Sequence, residues 1–229
     1  MPRTLRLAPD WRVTPLLRKD LPASTLALAP FLIGKLLIHA SADGMAGGRI
    51  VETEAYRGPA DRAAHSRGGH RSARNEVMYG PPGHAYVYFV YGMHHCVNVV
   101  TQAADVPEAV LIRALEPLAG IELMRTRRAL ADGPDSRLCR GPGALCRALG
   151  IDGTVNGADL VRGALRVLDA PEVAPSLVTR TPRIGVDYAG IDAARPWRFV
   201  LRESPAASGP RVRPTSSPIA RARAGRRLR

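Results

Sequence analysis

One stretch, Arg49–Ser66 (RIVETEAYRGPADRAAHS), constrains the fold of this chain more than any other. Its β-branched residues favour a strand, and the Gly-Pro pair at 58–59 ends that strand in a turn. Side chains alternate along a strand, so Glu52, Glu54 and Tyr56 share one face. That face either exposes two carboxylates to solvent or directs them at a site.

The residues after this turn bring a histidine toward the same space. A short polar helix is predicted for residues 61–65, with Asp61 as its N-cap and His65 at its end. A solvated strand face is the usual setting for a glutamate in a strand. Aromatic and histidine residues crowd the following stretch, however, and they favour a site in which an acid, an aromatic ring and an imidazole meet.

The rest of the pattern predicts several further strands, two helices and a hairpin. The strands are predicted at 34–39, 86–91, 96–100, 109–115, 165–168 and 198–201. The helices are predicted at 118–130 and 141–149, with a turn at 44–48. The two strands at 86–91 and 96–100 form a hairpin whose tip is Gly92-Met93-His94.

Charge and composition suggest the kind of partner and the domain limits. The net charge of +13 is typical of a protein that binds a polyanion, most often nucleic acid, although an arginine-rich composition also accompanies a GC-rich genome. The length of 229 residues indicates one domain, at 23–205. Residues 1–22 are predicted to be a loose leader. Residues 206–229, rich in Ser, Pro, Ala and Arg, are predicted to be a disordered basic tail.

The cysteines and the apolar segments indicate a cytoplasmic protein. Cys96, Cys139 and Cys146 are an odd number at wide spacing, which favours reduced thiols over a disulfide framework. No apolar run reaches the roughly 18 residues of a membrane span. The N-terminus lacks the apolar segment of a signal peptide. We therefore expect no association with a membrane.

Histidine residues concentrate between residues 65 and 95, beside a basic loop. Five of the six histidines lie there, but none has the spacing of a zinc site, so we predict neither a metal nor a cofactor. The glycine-rich loop at 67–75 suits phosphate oxygens through Arg67, Arg71 and Arg74. It is not a Walker loop, and a flexible surface loop is the alternative.

The tyrosines cluster beside this basic loop. Five of the six fall between residues 56 and 91, an arrangement suited to stacking on nucleic-acid bases. Tyr86 and Tyr88 share one face of their strand, and Tyr91, of the other parity, reaches the hairpin tip. Packing in the core is the alternative, and it fits Tyr86 better than Tyr91.

Three long segments, taken together, resemble a known family. RIVETEAYRGPADRAAHSRGG, MYGPPGHAYVYFVYGMHHCVNVV and AVLIRALEPLAGIELM are similar to the alkyladenine DNA glycosylases, also called 3-methyladenine DNA glycosylases of the mammalian type. The resemblance covers roughly residues 25–205. It implies an α+β fold, a single mixed domain around a curved antiparallel sheet, from which a β-hairpin protrudes toward DNA.

The resemblance also implies the roles of the residues that carry the chemistry. Glu54 matches the general base that activates the water attacking C1′ of a flipped nucleotide, and Arg113 matches an arginine beside that water. A backbone carbonyl that holds the water corresponds to a position near Leu201. No lysine matches a catalytic position, so water rather than an amine is the expected nucleophile.

Further matches define the base pocket and the residues that enter DNA. The pocket residues are Tyr56 on one face of the base, His65 and Tyr88 on the other, and Asn98, which hinders a normal guanine. The residues that intercalate in the minor groove are Tyr91 with Met93 and His94 beside it. The His-His pair at 94–95 departs from the apolar or aromatic residues that the family often has there.

The resemblance implies a monofunctional DNA glycosylase. It would flip alkylated purines such as 3-methyladenine and 7-methylguanine out of duplex DNA, hydrolyse the N-glycosidic bond and so initiate base excision repair. The expected partner is damaged double-stranded DNA, and the protein is expected to be a nucleoid-associated monomer. One alternative is action mainly on deaminated purines such as hypoxanthine. Another is a non-catalytic nucleic-acid-binding module, although pure binding would need neither Glu54 nor Asn98.

Overall fold

The computed structural model describes residues 14–209, which form a mixed α/β fold around one mostly antiparallel sheet. The strands described are β1 Thr14–Pro15, β2 Leu36–Ser41, β3 Gly44–Tyr56, β4 Ala85–Val90, β5 His94–Thr101, β6 Glu108–Ala119, β7 Leu165–Asp169, β8 Val178–Thr181 and β9 Arg198–Leu201. The α-helices described are α1 Thr25–Phe31, α2 Ile121–Arg128 and α3 Pro142–Leu149. The main sheet order is β1-β7-β2-β3-β6-β5-β4, and β9 joins β3 to β8.

Strand β3 is the centre of the sheet and changes partners halfway along. On one side it pairs with β6, with register shifts around Glu52. On the other side its first half pairs with β2 and its second half with β9, where Glu54 lies opposite Arg198. The middle of β3 is therefore covered on both edges, which places Glu52 and Glu54 inside the protein.

The turn predicted at 44–48 is wrong, because these residues are the start of β3. The glycines there serve close approach between strands instead. A Cβ at Gly47 would lie 2.8 Å from the Leu37 carbonyl oxygen, and one at Gly48 would collide with the Glu116 carbonyl. The chain reverses at residues 42–43, between β2 and β3. Gly47 and Gly48 therefore do not end a strand. They lie where the backbones of neighbouring strands are too close for a side chain.

The helices and the inner sheet face enclose the main core. Its buried members include Leu37 of β2, Ile50 of β3, Ile112 of β6 and Leu145 of α3. All three cysteines are buried free thiols. Within residues 14–209, no helix is both long and apolar enough to cross a membrane. The predicted helix at 61–65 does not form; Asp61 instead accepts hydrogen bonds from the backbone N–H groups of Arg57 and Ala63.

Strands β4 and β5 form the predicted hairpin, with its turn one residue earlier than expected. Tyr88 pairs with Cys96 and Val90 with His94, so His94 is the first residue of β5 rather than part of the tip. The turn at 91–93 holds Tyr91 at a φ of 55°, in the left-handed region that non-glycine residues rarely adopt. Tyr91 is therefore in the turn itself and not at the end of the strand.

Both ends of the described chain pack against the sheet. At the start, β1 pairs with β7 and Leu16 is 2% exposed. At the end, Ala206 is fully buried and Ser208 is 7% exposed. The expectation of a disordered tail therefore does not hold for residues 206–209. Residues 1–13 and 210–229, with most of the predicted leader and tail, lie outside the described residues, and the division into leader, domain and tail stays a prediction.

Candidate active site

A pocket of about 330 Å³ opens beside the outer half of β3. Strands β3 to β6 supply one side of it, and the segment 184–188 supplies the other. Most of its large side chains are aromatic rings, with an amide and a guanidinium among them. The lining includes Tyr56, His65, Tyr86, Tyr88, Tyr91, Asn98, Arg113 and Tyr188. The structure thus brings together the predicted base-pocket residues.

Glu54 lies directly behind this pocket and is fully buried. Its Oε2 accepts hydrogen bonds from the Tyr56 hydroxyl at 2.9 Å and from Arg113 Nη1 at 3.2 Å. Its Oε1 accepts one from the Ile184 backbone N–H at 2.8 Å. An ionised carboxylate has about four acceptor positions. Among residues 14–209 three of them are filled, which leaves one on Oε1 for a further donor.

Arg113 connects Glu54 to a second buried carboxylate. Its Nε donates to Glu52 Oε1 at 3.0 Å, while its Nη1 donates to Glu54. Burial alone would lower the pKa of Arg113, but the charges of Glu54 and Glu52 raise it above its ordinary value. The guanidinium therefore stays charged and is fixed between two anions.

Arg198 and Ser208 complete this group, which we call the buried charge cluster: Glu52, Glu54, Arg113, Arg198 and Ser208. Arg198 Nε donates to Glu52 Oε1 at 2.6 Å, and Ser208 N–H donates to Glu52 Oε2 at 2.6 Å. Two carboxylates and two guanidiniums balance in charge. The reading of Glu52 and Glu54 as a solvated strand face is wrong, because both are fully buried.

Two tyrosines and a histidine form one wall of the pocket. The His65 Nδ1 lies 2.7 Å from the Tyr86 hydroxyl, and its ring meets that of Tyr88 edge-on with centroids 4.5 Å apart. Burial, then the charge of Arg74, lowers the pKa of His65, so the imidazole is neutral at neutral pH. Burial raises the pKa of Tyr88 and of Tyr86, so both phenols also stay neutral.

Tyr56 forms part of the pocket lining together with segment 184–188, with its hydroxyl on Glu54. Burial and then the Glu54 charge raise its pKa well above its ordinary value. The Arg183 guanidinium lies 4.7 Å from the centroid of its ring. Arg183 in turn forms a fully buried ion pair with Asp61, Nη1 to Oδ2 at 2.6 Å. This pair, which the sequence analysis missed, ties the loop after β3 to the pocket segment.

Asn98 is fixed by the strand opposite. Its side-chain Nδ2 donates to the Tyr86 carbonyl at 2.9 Å, and the residue is 4% exposed. Leu201, by contrast, lies in the main core and pairs with Val178, away from the pocket. The backbone N–H that donates to Glu54 belongs to Ile184. Leu201 does not line the pocket, and the carbonyl that holds the water stays a prediction.

The pocket mouth is bordered by exposed side chains, which we call the rim: Tyr91, Met93 and Tyr188. They are 81%, 67% and 68% exposed. Tyr91 and Tyr188 both line the pocket, one from the hairpin turn and one from the opposite segment. His94 is half-buried, and a Cβ at Gly143 of α3 would lie 2.8 Å from its ring. His94 thus faces α3, whereas Tyr91 and Met93 face solvent.

The predicted phosphate-binding arginines differ in their surroundings. Arg67 and Arg74 are exposed, and Arg74 Nη2 donates to the Phe89 carbonyl in β4 at 2.7 Å. Arg71 is already bonded to Glu76 and to Asp105. Their contact with phosphate stays a prediction. Across residues 14–209 there is no cluster of three or more metal-ligating side chains.

Comparison with known proteins identifies the family of this chain. The family model "Methylpurine-DNA glycosylase (MPG)" matches residues 19–205. This chain belongs to the methylpurine-DNA glycosylase family. It is therefore a DNA glycosylase, an enzyme of DNA repair that acts on DNA, and the resemblance found in the sequence is confirmed.

Individual relatives match over nearly their whole length. Proteins of Desulfitobacterium hafniense (strain Y51) and Methanocella arvoryzae are each 49% identical to this chain, over 79% and 80% of it and 91% and 90% of their own length. A protein of Bacillus cereus (strain Q1) is 45% identical over 79% of this chain and 92% of its own. Each is named "Putative 3-methyladenine DNA glycosylase".

Proposed function

We propose that this chain is a monofunctional glycosylase that hydrolyses the N-glycosidic bond of alkylated purines, of the 3-methyladenine and 7-methylguanine class, in duplex DNA. The target nucleotide flips into the aromatic pocket, and its removal initiates base excision repair. The observation that carries the proposal is Glu54. It is a fully buried carboxylate behind an aromatic pocket, with one acceptor position left among residues 14–209.

Alkylated purines fit this pocket because they carry positive charge. Methylation at N3 or N7 makes the base a cation, which weakens its bond to C1′. Burial raises the pKa of Tyr88 and lowers the pKa of His65, so these two rings carry no charge of their own that would repel a cation. Electron-rich ring faces attract a cationic, electron-poor base. The charge of Arg113 is balanced by its two glutamates.

The chemical step needs one base and one water. The water oxygen bonds to C1′ while Glu54 accepts a proton from that water. The purine leaves with the electron pair of the broken N-glycosidic bond. A cationic purine becomes neutral on leaving, so it needs no acid. Arg113 and the Ile184 N–H hold the carboxylate in place. The Tyr56 hydroxyl donates to the same carboxylate and fixes the ring against which the base stacks.

Residues around the pocket would extract the nucleotide and exclude normal purines. Tyr91 and Met93, on the exposed turn, enter the minor groove and fill the space that the base leaves. Asn98 hinders the amino group of guanine, with its amide held by the Tyr86 carbonyl. Arg67 and Arg74 face solvent near the pocket and can pair with phosphates. The substrate is a duplex, and one protein molecule binds one lesion.

Water rather than a lysine is the nucleophile. Lys35 donates to the Asp169 carboxylate at 2.6 Å and to the Ala170 carbonyl at 3.0 Å. Its side chain is 4% exposed and does not line the pocket. Arginine stays protonated and cannot form a Schiff base. The product is then an intact strand with an abasic site.

A single-turnover panel tests the proposal. Duplexes with one 3-methyladenine, 7-methylguanine, hypoxanthine or ethenoadenine are treated with excess enzyme, and free base and strand length are both measured. We expect release of the two methylated purines above the spontaneous loss in protein-free controls. The strands should stay whole until alkali is added, and borohydride should trap no adduct. Release of hypoxanthine without the methylated purines, or cutting without alkali, would refute it.

A further inference from the structure

The last described residues, 206–209, lie beyond the family match, which ends at 205. They are nevertheless packed into the protein. Ala206 is fully buried, and Arg140 Nε donates to the Ala207 carbonyl at 2.8 Å. We call residues 206–209 the closing segment. Its position behind the pocket places it next to the groups that hold Glu54.

Ser208 is the residue of the closing segment that touches the buried charges. Its N–H donates to Glu52 Oε2 at 2.6 Å and its hydroxyl to Glu52 Oε1 at 3.0 Å. The same hydroxyl accepts from Arg113 Nη2 at 3.4 Å, and its carbonyl accepts from Arg198 Nη2 at 2.7 Å. One residue therefore contacts three of the four charged side chains in the buried charge cluster.

These contacts decide where Arg113 points. Glu52 accepts four hydrogen bonds, one from each of two arginines and two from Ser208. Three of these donors, from Arg113, Arg198 and the Ser208 hydroxyl, meet at Oε1, and the Ser208 N–H donates to Oε2. Removing the hydroxyl would take from Arg113 Nη2 the acceptor that the closing segment gives it and one of three donors from Glu52 Oε1, so the buried guanidinium would turn to find another acceptor. Such a turn weakens the bond from Arg113 to Glu54.

Gly209, the last residue of the closing segment, lies close to Ile184, which is bonded to Glu54. It has a φ of 72°, and a Cβ there would collide with Ile184 Cδ1. Ile184 supplies the backbone N–H that donates to Glu54 Oε1. The closing segment thus supports both protein groups, Arg113 and Ile184, that hold Glu54 from behind.

We propose that Ser208 is a positioning residue for the glycosylase reaction, which it serves by holding Glu52 and Arg113 in the arrangement that supports Glu54. This inference rests on the proposed role of Glu54 as the base. The closing segment is then part of the catalytic centre, although it follows the matched family domain. Its effect is on the chemical step and not on DNA binding, since Ser208 does not line the pocket.

Full-length Ser208→Ala, Ser208→Thr and Ser204→Ala test this role. Ser204 lies in the same part of the chain, and among residues 14–209 its hydroxyl accepts a hydrogen bond from the Ala206 N–H at 3.4 Å and makes none with the cluster. The rate of base release is measured under single turnover on a 7-methylguanine duplex, and the Kd on a duplex with an uncleavable abasic analogue. We expect Ser208→Ala to release base about tenfold more slowly at unchanged Kd, as loss of a hydrogen bond to a charged group predicts.

The comparisons among variants separate positioning from folding. Ser204→Ala should match the wild type, and Ser208→Thr should recover most of the rate because it keeps the hydroxyl. All assays are run below the melting transitions followed by circular dichroism. A wild-type rate in Ser208→Ala would overturn the inference, as would equal losses of rate and affinity or no recovery in folded Ser208→Thr. If Glu54→Gln is inactive while Ser208→Ala is normal, this inference alone fails.

Discussion

The buried charge cluster and the rim both border one pocket and are built in opposite ways. Members of the cluster are at most 7% exposed, and each carboxylate accepts at least three hydrogen bonds. Members of the rim are at least 67% exposed. A group packed on all sides keeps one geometry, whereas an exposed one can move to fit a ligand. The cluster therefore suits a chemical step, and the rim suits capture of DNA.

The cluster keeps its arrangement because each of its charges is paired, and not because the pairs add much net stability to the fold. Taking charges out of water costs free energy that their mutual attraction only partly returns. Removing one partner leaves a buried charge, at a cost of about 3–5 kcal/mol. Substitutions in the cluster should therefore keep size and shape. Substitutions on the rim can be larger, because the exposed side chains there contribute little to the fold.

The largest effect is expected from Glu54→Gln. The amide has nearly the same shape but cannot take a proton from water, so base release should fall on the order of a hundredfold or more. Affinity for a lesion duplex should be kept, because Glu54 does not line the pocket. Single-turnover release and duplex binding measure the two quantities separately.

Glu116→Gln provides a matched control. Glu116 lies on β6 and forms a surface ion pair with Arg49, away from the cluster. This variant should release base at the wild-type rate. If Glu54→Gln also released base at nearly that rate, the base would lie elsewhere and the division of roles between cluster and rim would fail.

Sequence reasoning located the cluster's carboxylates but not its full membership. Alternation along β3 places Glu52 and Glu54 on one face, and the structure joins both to Arg113. Nothing local in the sequence couples Glu52 to Arg198 or Ser208, which lie 146 and 156 residues further on. Such contacts depend on β9 pairing with β3, which a strand pattern alone does not specify.

The glycines show why parts of the fold were misread. Gly47 and Gly48 predict a turn by composition, yet they sit inside a strand because neighbouring backbones leave no room for a Cβ. The exposed hairpin turn was easier to predict, since Gly92 follows an apolar and aromatic run. A turn can be predicted from the residues that form it, whereas close contact between strands distant in sequence cannot.

A smaller effect, and one that depends on the substrate, is expected from Tyr91→Ala on the rim. Loss of the ring removes the group that fills the gap left by a flipped base, and unstacking costs a few kcal/mol. Base release from a paired lesion should slow by about tenfold or more, and release from a mispaired lesion should slow less. Single-turnover rates on the two duplexes provide the comparison.

Leu177→Ala is the control for Tyr91→Ala. Leu177 is 50% exposed and does not line the pocket. It should release base normally from both duplexes. An equal defect of Tyr91→Ala on paired and mispaired lesions would point to damaged folding, and the rim would lose its assigned role.

The basic residues beyond 209 offer a test of how far DNA capture extends from the rim. If about six phosphates are neutralised, the slope of log affinity against log salt should be about −5. A chain lacking residues 210–229 should bind a lesion duplex more weakly, with a shallower slope, and keep its single-turnover rate at saturation. Unchanged affinity and slope would show that these residues take no part in binding.

The smallest expected effect concerns stability and pH, and it arises at His65, between the rim and the cluster. Burial lowers the pKa of His65 below its ordinary value of 6.5. Below pH 6.5 the unfolded chain binds a proton that the folded protein refuses, so stability falls as pH drops from 6.5 toward the lowered pKa. Above 6.5 both states are neutral and this contribution is flat.

His65→Gln should remove that acid-side loss. Unfolding by urea, measured from about pH 8 to about pH 5, should show wild-type stability falling more steeply than that of the variant below pH 6.5, with parallel curves above it. The amide can still bond the Tyr86 hydroxyl, so the wall is kept. Parallel curves over the whole range would mean that His65 charges as readily in the folded protein as in the unfolded chain. His65 would then be positively charged in mild acid, and the pocket would no longer suit a cationic purine at that pH.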